Sequence, residues 1–150
     1  MTDPVLERLA QLMSTELPGL TALQSGLEAA RELRYGRVNV IFDFDAETKS
    51  IRVYARVPVP PGAGPDFLIW CLTTSTLYWD VKIGLDEAGM LIVHSDVDFD
   101  RLEVEVVAQV LCERVDAISE LLDDDLVPFQ LDHQLCTPAQ ATRWRGWDPD

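Results

Sequence analysis

The stretch that decides the fold is residues 80–99, DVKIGLDEAGMLIVHSDVDF. Its apolar residues alternate with polar or small ones from Val81 to Leu85, and this period of two predicts a strand. Asp86–Gly89 has the composition of a turn, and the apolar run Met90–Val93 begins a returning strand. The stretch therefore predicts an antiparallel hairpin.

A second hairpin is predicted earlier in the chain. The same alternation runs over Val38–Phe44 and again over Ile51–Val57, with the polar turn Asp45–Lys49 between them. The segment Pro58–Pro65 follows, and its four prolines and two glycines favour a stiff loop over a helix or a central strand.

Two shorter helices are predicted around the first hairpin. Apolar residues recur at helical spacing from Val5 to Leu17, after an Asp3-Pro4 start that is typical of a helix N-terminus. Residues 67–78 predict a second helix or half-buried segment. Residues 20–36 have helical propensity, but Gly26 and Gly36 leave an extended conformation open.

A long helix is predicted to close the domain. Asp100 and Glu103 form a D-x-x-E capping pattern, and an apolar stripe then continues to Leu122. Asp123–Asp125 would lie at the negative end of the helix dipole, which favours a stop there. The predicted fold is α+β: a twisted antiparallel sheet with helices packed on one face and a long C-terminal helix.

We divide the chain into a domain, residues 1–126, and a C-terminal tail, residues 127–150. The tail shows no clear period but carries Phe129, Trp144 and Trp147, with arginines beside the tryptophans. Aromatic residues and arginine are common anchors of protein interfaces. We therefore expect Phe129, Arg143, Trp144 and Trp147 to bind protein, either the chain's own core, a neighbouring subunit or a partner.

The net charge of −14 is concentrated in the second half of the chain. Residues 1–85 carry ten acids and eight bases, whereas residues 86–150 carry sixteen acids and four bases. Such a surface repels phosphate, which argues against direct nucleic-acid binding and suits a basic protein partner or simple solubility.

Composition also gives expectations for the surroundings of the chain. The longest apolar runs are too short to span a bilayer, and the N-terminus lacks the pattern of a secretory signal. Cys71, Cys112 and Cys136 are odd in number and far apart, as expected of reduced thiols in a cytoplasmic protein.

The best catalytic-looking motif is Asp43-Phe44-Asp45, which resembles the first motif of haloacid-dehalogenase-type phosphatases. Ala46 and Glu47 replace the glycine and threonine of that motif, and a hairpin turn explains the same residues. Asp96, Asp98 and Asp100 alternate like the start of a calcium loop, but the sixth and twelfth positions hold Arg101 and Val107.

The two histidines, His94 and His133, lack sequence partners for a triad or a metal. From these motifs we expect no catalytic residue, no metal and no cofactor.

Residues 67–122 resemble the second half of the YbjN-like family, with Asp86 and Gly89 at the turn positions of its hairpin and Arg101–Leu122 as its closing helix. That family is similar in fold to class I type III secretion chaperones, which are small, acidic and dimeric. The resemblance implies a protein-binding role rather than chemistry.

The resulting hypothesis is a non-enzymatic, homodimeric, chaperone-like adaptor that binds segments of a partner protein. We expect Trp70, Leu111 and Val115 at the dimer interface and an exchange of tails between subunits. One alternative is a stress or transcription regulator that acts through a basic nucleic-acid-binding protein, and a minor one is a phosphatase-like enzyme.

Overall fold

The computed structural model describes residues 4–17, 20, 30–36, 38–45, 47–59, 64–78 and 80–132. Five strands form one sheet: β1 (Ala30–Tyr35), β2 (Val38–Asp45), β3 (Ser50–Pro58), β4 (Lys82–Leu85) and β5 (Met90–Asp98). The helices are α1 (Pro4–Glu16), α2 (Pro65–Leu77), α3 (Val104–Glu120), the π-helical segment (Leu121–Leu126) and α4 (Val127–Asp132). None of these helices is both long and apolar enough to span a bilayer.

Both predicted hairpins are confirmed, and a long pairing joins them. The strand order is β1-β2-β3-β5-β4, and every neighbouring pair is antiparallel. β3 and β5 pair over their full lengths, from Ser50 opposite Asp98 to Pro58 opposite Met90. The chain reaches β5 by way of α2 and β4. Because all the strand pairs of the sheet are antiparallel, the predicted α+β class with an antiparallel sheet is confirmed.

The alternation in the sequence gives the sheet one buried face and one open face. On the buried face β3 contributes Ile51, Val53, Ala55 and Val57, all at most 1% exposed. This face packs with α1 and α3 into one core, to which α3 contributes Leu111, Val115 and Ile118. The open face carries the residues between them, which no described helix covers.

The ambiguous region before the first predicted strand contains a further strand. β1 pairs with β2 from Ala30 opposite Asp43 to Tyr35 opposite Val38. Gly36 turns the chain between them with a φ of 60°, which glycine adopts without the strain that a side chain brings. The Tyr35 hydroxyl donates a hydrogen bond to Asp116 of α3, and this contact joins the edge strand β1 to α3.

The turn of the second hairpin is held by one aspartate. Asp86 Oδ1 accepts hydrogen bonds from the backbone N–H of Ala88 and of Met90, each at 2.9 Å. Gly89 closes the turn with a φ of 79° and donates its N–H to the Asp86 carbonyl oxygen at 3.0 Å. Asp86 and Gly89, the two residues at the predicted turn positions, therefore fix the conformation of the turn between β4 and β5.

Gly89→Ala is expected to lower the free energy of unfolding by about 1 kcal/mol, because alanine is strained at positive φ. Gly84→Ala is the matched control, since a Cβ at Gly84 meets nothing within 4 Å and its φ is not positive. Urea unfolding of both variants measures the difference. Equal stabilities would contradict this account of the turn.

The predicted start of the long helix is wrong by about three residues. Glu103 is the N-cap and makes no side-chain capping bond, so the D-x-x-E pattern does not act as a capping box. The turn before α3 is held instead by Asp98, whose Oδ1 accepts the backbone N–H of Asp100 at 3.1 Å.

The predicted end of the long helix is also wrong. The three aspartates do not stop it: the chain continues through the π-helical segment into α4. Leu121, Leu122, Leu126 and Val127 remain buried through this segment, so tertiary packing outweighs the unfavourable charges. The boundary proposed at residue 126 falls inside this continuous helix.

Candidate functional site

The first candidate surface lies on α2, whose sequence PDFLIWCLTTSTL has apolar residues on every side. Only Phe67 and Thr74 are buried. Four large side chains are well exposed, at 56% for Leu68, 59% for Ile69, 73% for Leu72 and 69% for Leu77. A helix that is apolar on all sides is normally buried on all sides, so the described fold leaves half of α2 uncovered.

Leu68, Ile69 and Leu72 form a contiguous group, which we call the α2 patch. Leu72 lies four residues after Leu68 and three after Ile69, and residues at these spacings are neighbours on a helix surface. Contiguous apolar surface of this kind on a soluble domain commonly marks an interface.

The other side of α2 is anchored to the end of the long helix. Phe67, Trp70 and Phe129 form an aromatic cluster, with ring centroids 5.9 Å apart for Phe67–Trp70 and 5.6 Å for Trp70–Phe129. Tyr78, just after α2, donates a hydrogen bond to Asp125, and burial and then this bond raise the pKa of Tyr78. The π-helical segment and α4 therefore hold α2 with its apolar patch turned outward.

The second candidate surface is the open face of the sheet. One row of side chains crosses it in direct register, because Ile41 lies opposite Tyr54, Tyr54 opposite His94, and His94 opposite Lys82. Ile41, Tyr54 and His94 are half-buried. The middle of the open face is therefore apolar and aromatic.

Charged pairs flank this row. Arg52 donates to Asp96 from Nε at 2.8 Å and from Nη2 at 3.3 Å. Arg56 Nε donates to Asp86 Oδ2 at 2.8 Å, so Asp86 holds both the turn and an arginine. Backbone hydrogen bonding from Met90 and the nearby guanidinium of Arg56 keep the pKa of Asp86 below its usual range.

A hollow of about 330 Å³ opens between these pairs. Tyr54, Gly84 and Ile92 are among its lining residues, with Arg52 and Arg56 at its sides. Because glycine has no side chain, Gly84 contributes empty space at this point, and a Cβ there would contact nothing within 4 Å.

Of the two histidines, His94 lies within the described residues, beside this hollow. The pKa of His94 is lowered. Burial is the main cause, followed by the positive charge of Arg52; Asp96 opposes the shift and Lys82 adds to it. Below a pH of about 6.5, the pKa of an unperturbed histidine, the unfolded chain therefore takes up a proton that the folded chain still excludes. Stability falls as the pH drops through this window.

His94→Gln is expected to flatten the loss of stability between pH 7.5 and pH 5.5, because glutamine binds no proton in either state. Urea unfolding across this range measures the free energy of unfolding of both proteins. His133 is present in both, so its titration cancels in the comparison. Parallel pH profiles would contradict the assignment to His94.

The residues predicted for the dimer interface separate into two groups. Leu111 and Val115 are 0% exposed within the single chain, so their side chains contribute to the core and offer nothing to a second copy. Trp70 is half-buried in the aromatic cluster. The exposed apolar residues are its neighbours on α2, which the sequence signalled by the unbroken apolar run from Phe67 to Leu72.

The four residues predicted to bind protein all lie in the tail, residues 127–150. Phe129 packs on Phe67 and Trp70 of its own chain. Arg143, Trp144 and Trp147 lie outside the described residues, as do Cys136 and His133.

The phosphatase-like motif is a hairpin. Asp45 Oδ1 accepts the backbone N–H of Glu47 at 2.9 Å and of Thr48 at 3.3 Å, and these bonds, that from Thr48 first, hold the pKa of Asp45 below its usual range. Phe44 packs on the ring of Phe99 at 5.3 Å. Asp45 is thus committed to the turn between β2 and β3.

The described thiols are in environments that suppress their reactivity. Burial raises the pKa of Cys71 to about 11 and that of Cys112 to about 11, so both are protonated at neutral pH. Within residues 4–132, where the structure describes them, no three histidine, cysteine, aspartate or glutamate side chains are grouped to hold a metal ion.

The sequence matches no known family model and no curated protein. Solved structures do match its fold. A chain of the ExsC–ExsE complex superposes with a TM-score of 0.52 at 17% identity, over 78% of this chain and 91% of that one.

Two further solved complexes contain similar chains. A chain of the ExoU–SpcU complex from the type III secretion system of Pseudomonas aeruginosa has a TM-score of 0.50 at 13% identity, over 70% of this chain and 86% of that one. A chain of the HopA1–SchA chaperone–effector complex reaches 0.49 at 11% identity, over 77% and 94%. The fold is thus that of chains in the ExsC–ExsE and ExoU–SpcU complexes.

Proposed function

We propose that this chain is a non-enzymatic, homodimeric adaptor of the secretion-chaperone kind, which dimerises through α2 and holds a segment of a partner protein on the open face of its sheet. The observation that carries the proposal is the α2 patch, whose three side chains are 56%, 59% and 73% exposed. Burying these exposed apolar side chains against a second copy would stabilise a dimer by roughly 25 cal/mol for each Å² of apolar surface buried.

The solved neighbours support a protein-binding role. ExsC–ExsE and ExoU–SpcU are, by name, complexes of one protein with another. At identities of 17% and 13% they establish the fold and suggest the kind of partner. The YbjN-like resemblance stays a prediction beside them.

The position of α2 favours a symmetric dimer. Because the aromatic cluster holds one side of α2 against its own subunit, the patch on the other side is free to meet the same patch of a second copy. A two-fold interface is self-complementary, so one apolar patch per subunit suffices. We therefore move the proposed interface from Leu111 and Val115 to Leu68, Ile69 and Leu72.

The tail has a proposed part in the same interface. Residues 133–150 follow α4, which packs on the side of α2 that faces its own subunit, so a tail that joins the interface has to pass α2. Trp144 and Trp147 are 12 and 15 residues beyond Asp132, and fully extended chain of these lengths reaches about 40 and about 50 Å, which is enough for contact with a neighbouring subunit. This proposal rests on chain length and on the place where α4 ends.

The mass of the full chain in solution, measured by light scattering after gel filtration, tests the dimer. Twice the chain mass of 16.8 kDa is expected. A chain ending at Asp132 separates the two proposed contacts: a dimer in both proteins supports α2 alone, and a dimer of the full chain only supports tail exchange. A monomer in both would contradict the proposed assembly.

A second candidate function is favoured by the charge of the helix layer. α1 and residues 104–132 together carry ten acidic and two basic residues, which is complementary to a basic protein. A regulator that sequesters a basic nucleic-acid-binding protein would use this surface. Its binding would weaken steeply with salt, whereas binding through apolar contacts on the sheet would not.

A further inference from the structure

We propose that residues 143–147 of the tail, Arg-Trp-Arg-Gly-Trp, dock into the groove between α2 and α4 of the second subunit of the dimer. This inference rests on the proposed dimer and names the site on one subunit that receives the tail of the other. The tryptophans would pack on the aromatic floor of the groove, and the arginines would meet its two aspartates.

The groove runs along the side of α2 that borders the π-helical segment and α4. Trp70 and Phe129 form its aromatic floor, with ring centroids 5.6 Å apart. Ile69 and Leu77 remain exposed at its rim, at 59% and 69%. A segment that fills the groove therefore removes apolar surface from water. The volume is about 480 Å³, and the lining includes Asp66, Ile69, Trp70, Leu77, Asp125 and Phe129.

The charges at the groove are negative. Asp66 is exposed and forms no ion pair among the described residues. Asp125 accepts a hydrogen bond from Tyr78, and the charges that act on Tyr78 are those of Asp125, Glu120 and Asp124, all of them acids. α2, the π-helical segment and α4 contain no lysine, arginine or histidine. The groove therefore suits a basic segment.

The described bases that come nearest to these helices in the sequence do not neutralise the groove. Arg114 lies 11 residues before Asp125, which is about 16 Å along a helix, and its guanidinium donates to Asp80 at 2.6 Å. Lys82, the first base after α2, lies opposite His94 on the open face of the sheet. The positive charge that the groove lacks has to come from another segment.

The tail contains a segment with the matching chemistry. Arg143 and Arg145 are the only lysines or arginines after Arg114, and they flank Trp144. With Trp147 they form a stretch of charge +2, which the last two aspartates of the sequence follow. Tryptophan packs on other aromatic rings, and arginine both pairs with carboxylates and stacks on aromatic faces. The groove offers both kinds of contact.

The length of the connection favours the groove of the second subunit. Ten residues separate Asp132 from Arg143, and a random chain of this length spans about 18 Å on average and about 33 Å at most. The chain's own groove begins at Phe129, three residues before Asp132, and needs no such spacer. The groove of the second copy lies beyond both α2 helices, at about 20–24 Å for two helix diameters. Ile69 belongs to the α2 patch and to the groove, so the groove opens onto the proposed interface.

Disulfide trapping in the full-length chain tests this inference. Thr73→Cys, on the exposed side of the groove, and Gly146→Cys in the tail are combined with Cys71→Ser and Cys136→Ser. After mild oxidation we expect covalent dimers in which mass spectrometry finds positions 73 and 146 joined. The matched control carries Leu102→Cys in place of Thr73→Cys, since Leu102 is 47% exposed and lies away from α2. Its link to position 146 should form at least tenfold more slowly.

Reversing the charge of the tail segment tests the aspartates of the groove. Arg143→Glu with Arg145→Glu should slow the link between positions 73 and 146 at least tenfold. Arg8→Glu with Arg101→Glu makes the same change in net charge on exposed residues of α1 and of the turn before α3. This control should leave the rate within twofold, and thermal melts check that each variant is folded.

A disulfide that closes within single chains would overturn the inference, because the tail would then dock on its own subunit. Equal rates from positions 73 and 102, or a rate that Arg143→Glu with Arg145→Glu leaves unchanged, would also overturn it. Light scattering separates these results from failure of the proposed dimer. A protein of twice the chain mass without the 73–146 link contradicts the docking site alone, whereas a monomer contradicts both.

Discussion

Replacing Leu72 with glutamate is expected to turn the dimer into a monomer. Leu72 is 73% exposed in the single chain. It lies on the α2 patch, about one helical turn after Leu68 and Ile69. In a dimer built on this patch the new carboxylates would face apolar surface without a partner. An uncompensated charge in an interface costs about 3 kcal/mol or more, which weakens association at least 100-fold.

Light scattering after gel filtration over a range of concentrations measures this effect. Leu102→Glu is the matched control, because Leu102 is also exposed, at 47%, but lies before α3 and away from α2. It should leave the mass unchanged. A Leu72→Glu protein that remains a dimer at micromolar concentration would contradict the α2 interface.

Leu111→Ala is expected to lower the free energy of unfolding by about 2–5 kcal/mol, the range for large-to-small changes in a packed core. Leu111 is 0% exposed and is in the core cluster of α1, α3 and the sheet. Because its side chain faces its own subunit, the substitution should act on folding and leave the dimer of the folded protein intact.

Urea unfolding measures the loss for Leu111→Ala, with Leu102→Ala as the exposed control, expected within about 0.5 kcal/mol of the parent protein. The comparison separates the core from the interface. A stable Leu111→Ala protein that becomes a monomer would restore the prediction that Leu111 lies between subunits.

The sheet could be predicted from the sequence because its pattern is local. Val38–Phe44, Ile51–Val57 and Val81–Leu85 alternate with period two, the apolar run Met90–Val93 begins the last strand, and the aspartates and glycines between them mark the turns. β1 was ambiguous because Ala-Arg-Glu-Leu-Arg-Tyr, residues 30–35, also suits a helix. Its strand conformation is fixed by pairing with β2, which local sequence does not contain.

The end of the long helix could not be predicted for a related reason. Local charge favours a stop at Asp123–Asp125, but the buried residues Leu122, Leu126 and Val127 continue the core beyond it. Leu122 and Leu126 are buried within the π-helical segment itself. A tertiary constraint thus overrides a local signal.

The candidate surfaces depend on what the rest of the fold covers. Leu72 and Leu111 are both leucines on helices, and the sequence does not show that one is exposed and the other buried. The hollow at Gly84 arises from register across three strands. The apolar character of all sides of α2 was visible in the sequence, and it is the signal that points to an interface.

The most direct test of the adaptor function is affinity capture from a native lysate with the tagged full-length chain. The proteins captured by the parent chain are compared with those captured by its Gly84→Leu and Leu72→Glu variants. Hydrogen exchange is then measured on the captured complex. The adaptor function predicts a protein that is retained by the parent chain, is lost with Gly84→Leu and slows amide exchange in β3 and β5. If every captured protein is retained equally by the Gly84→Leu chain, or if exchange in β3 and β5 does not change in any complex, the chain does not hold its partner on the open face.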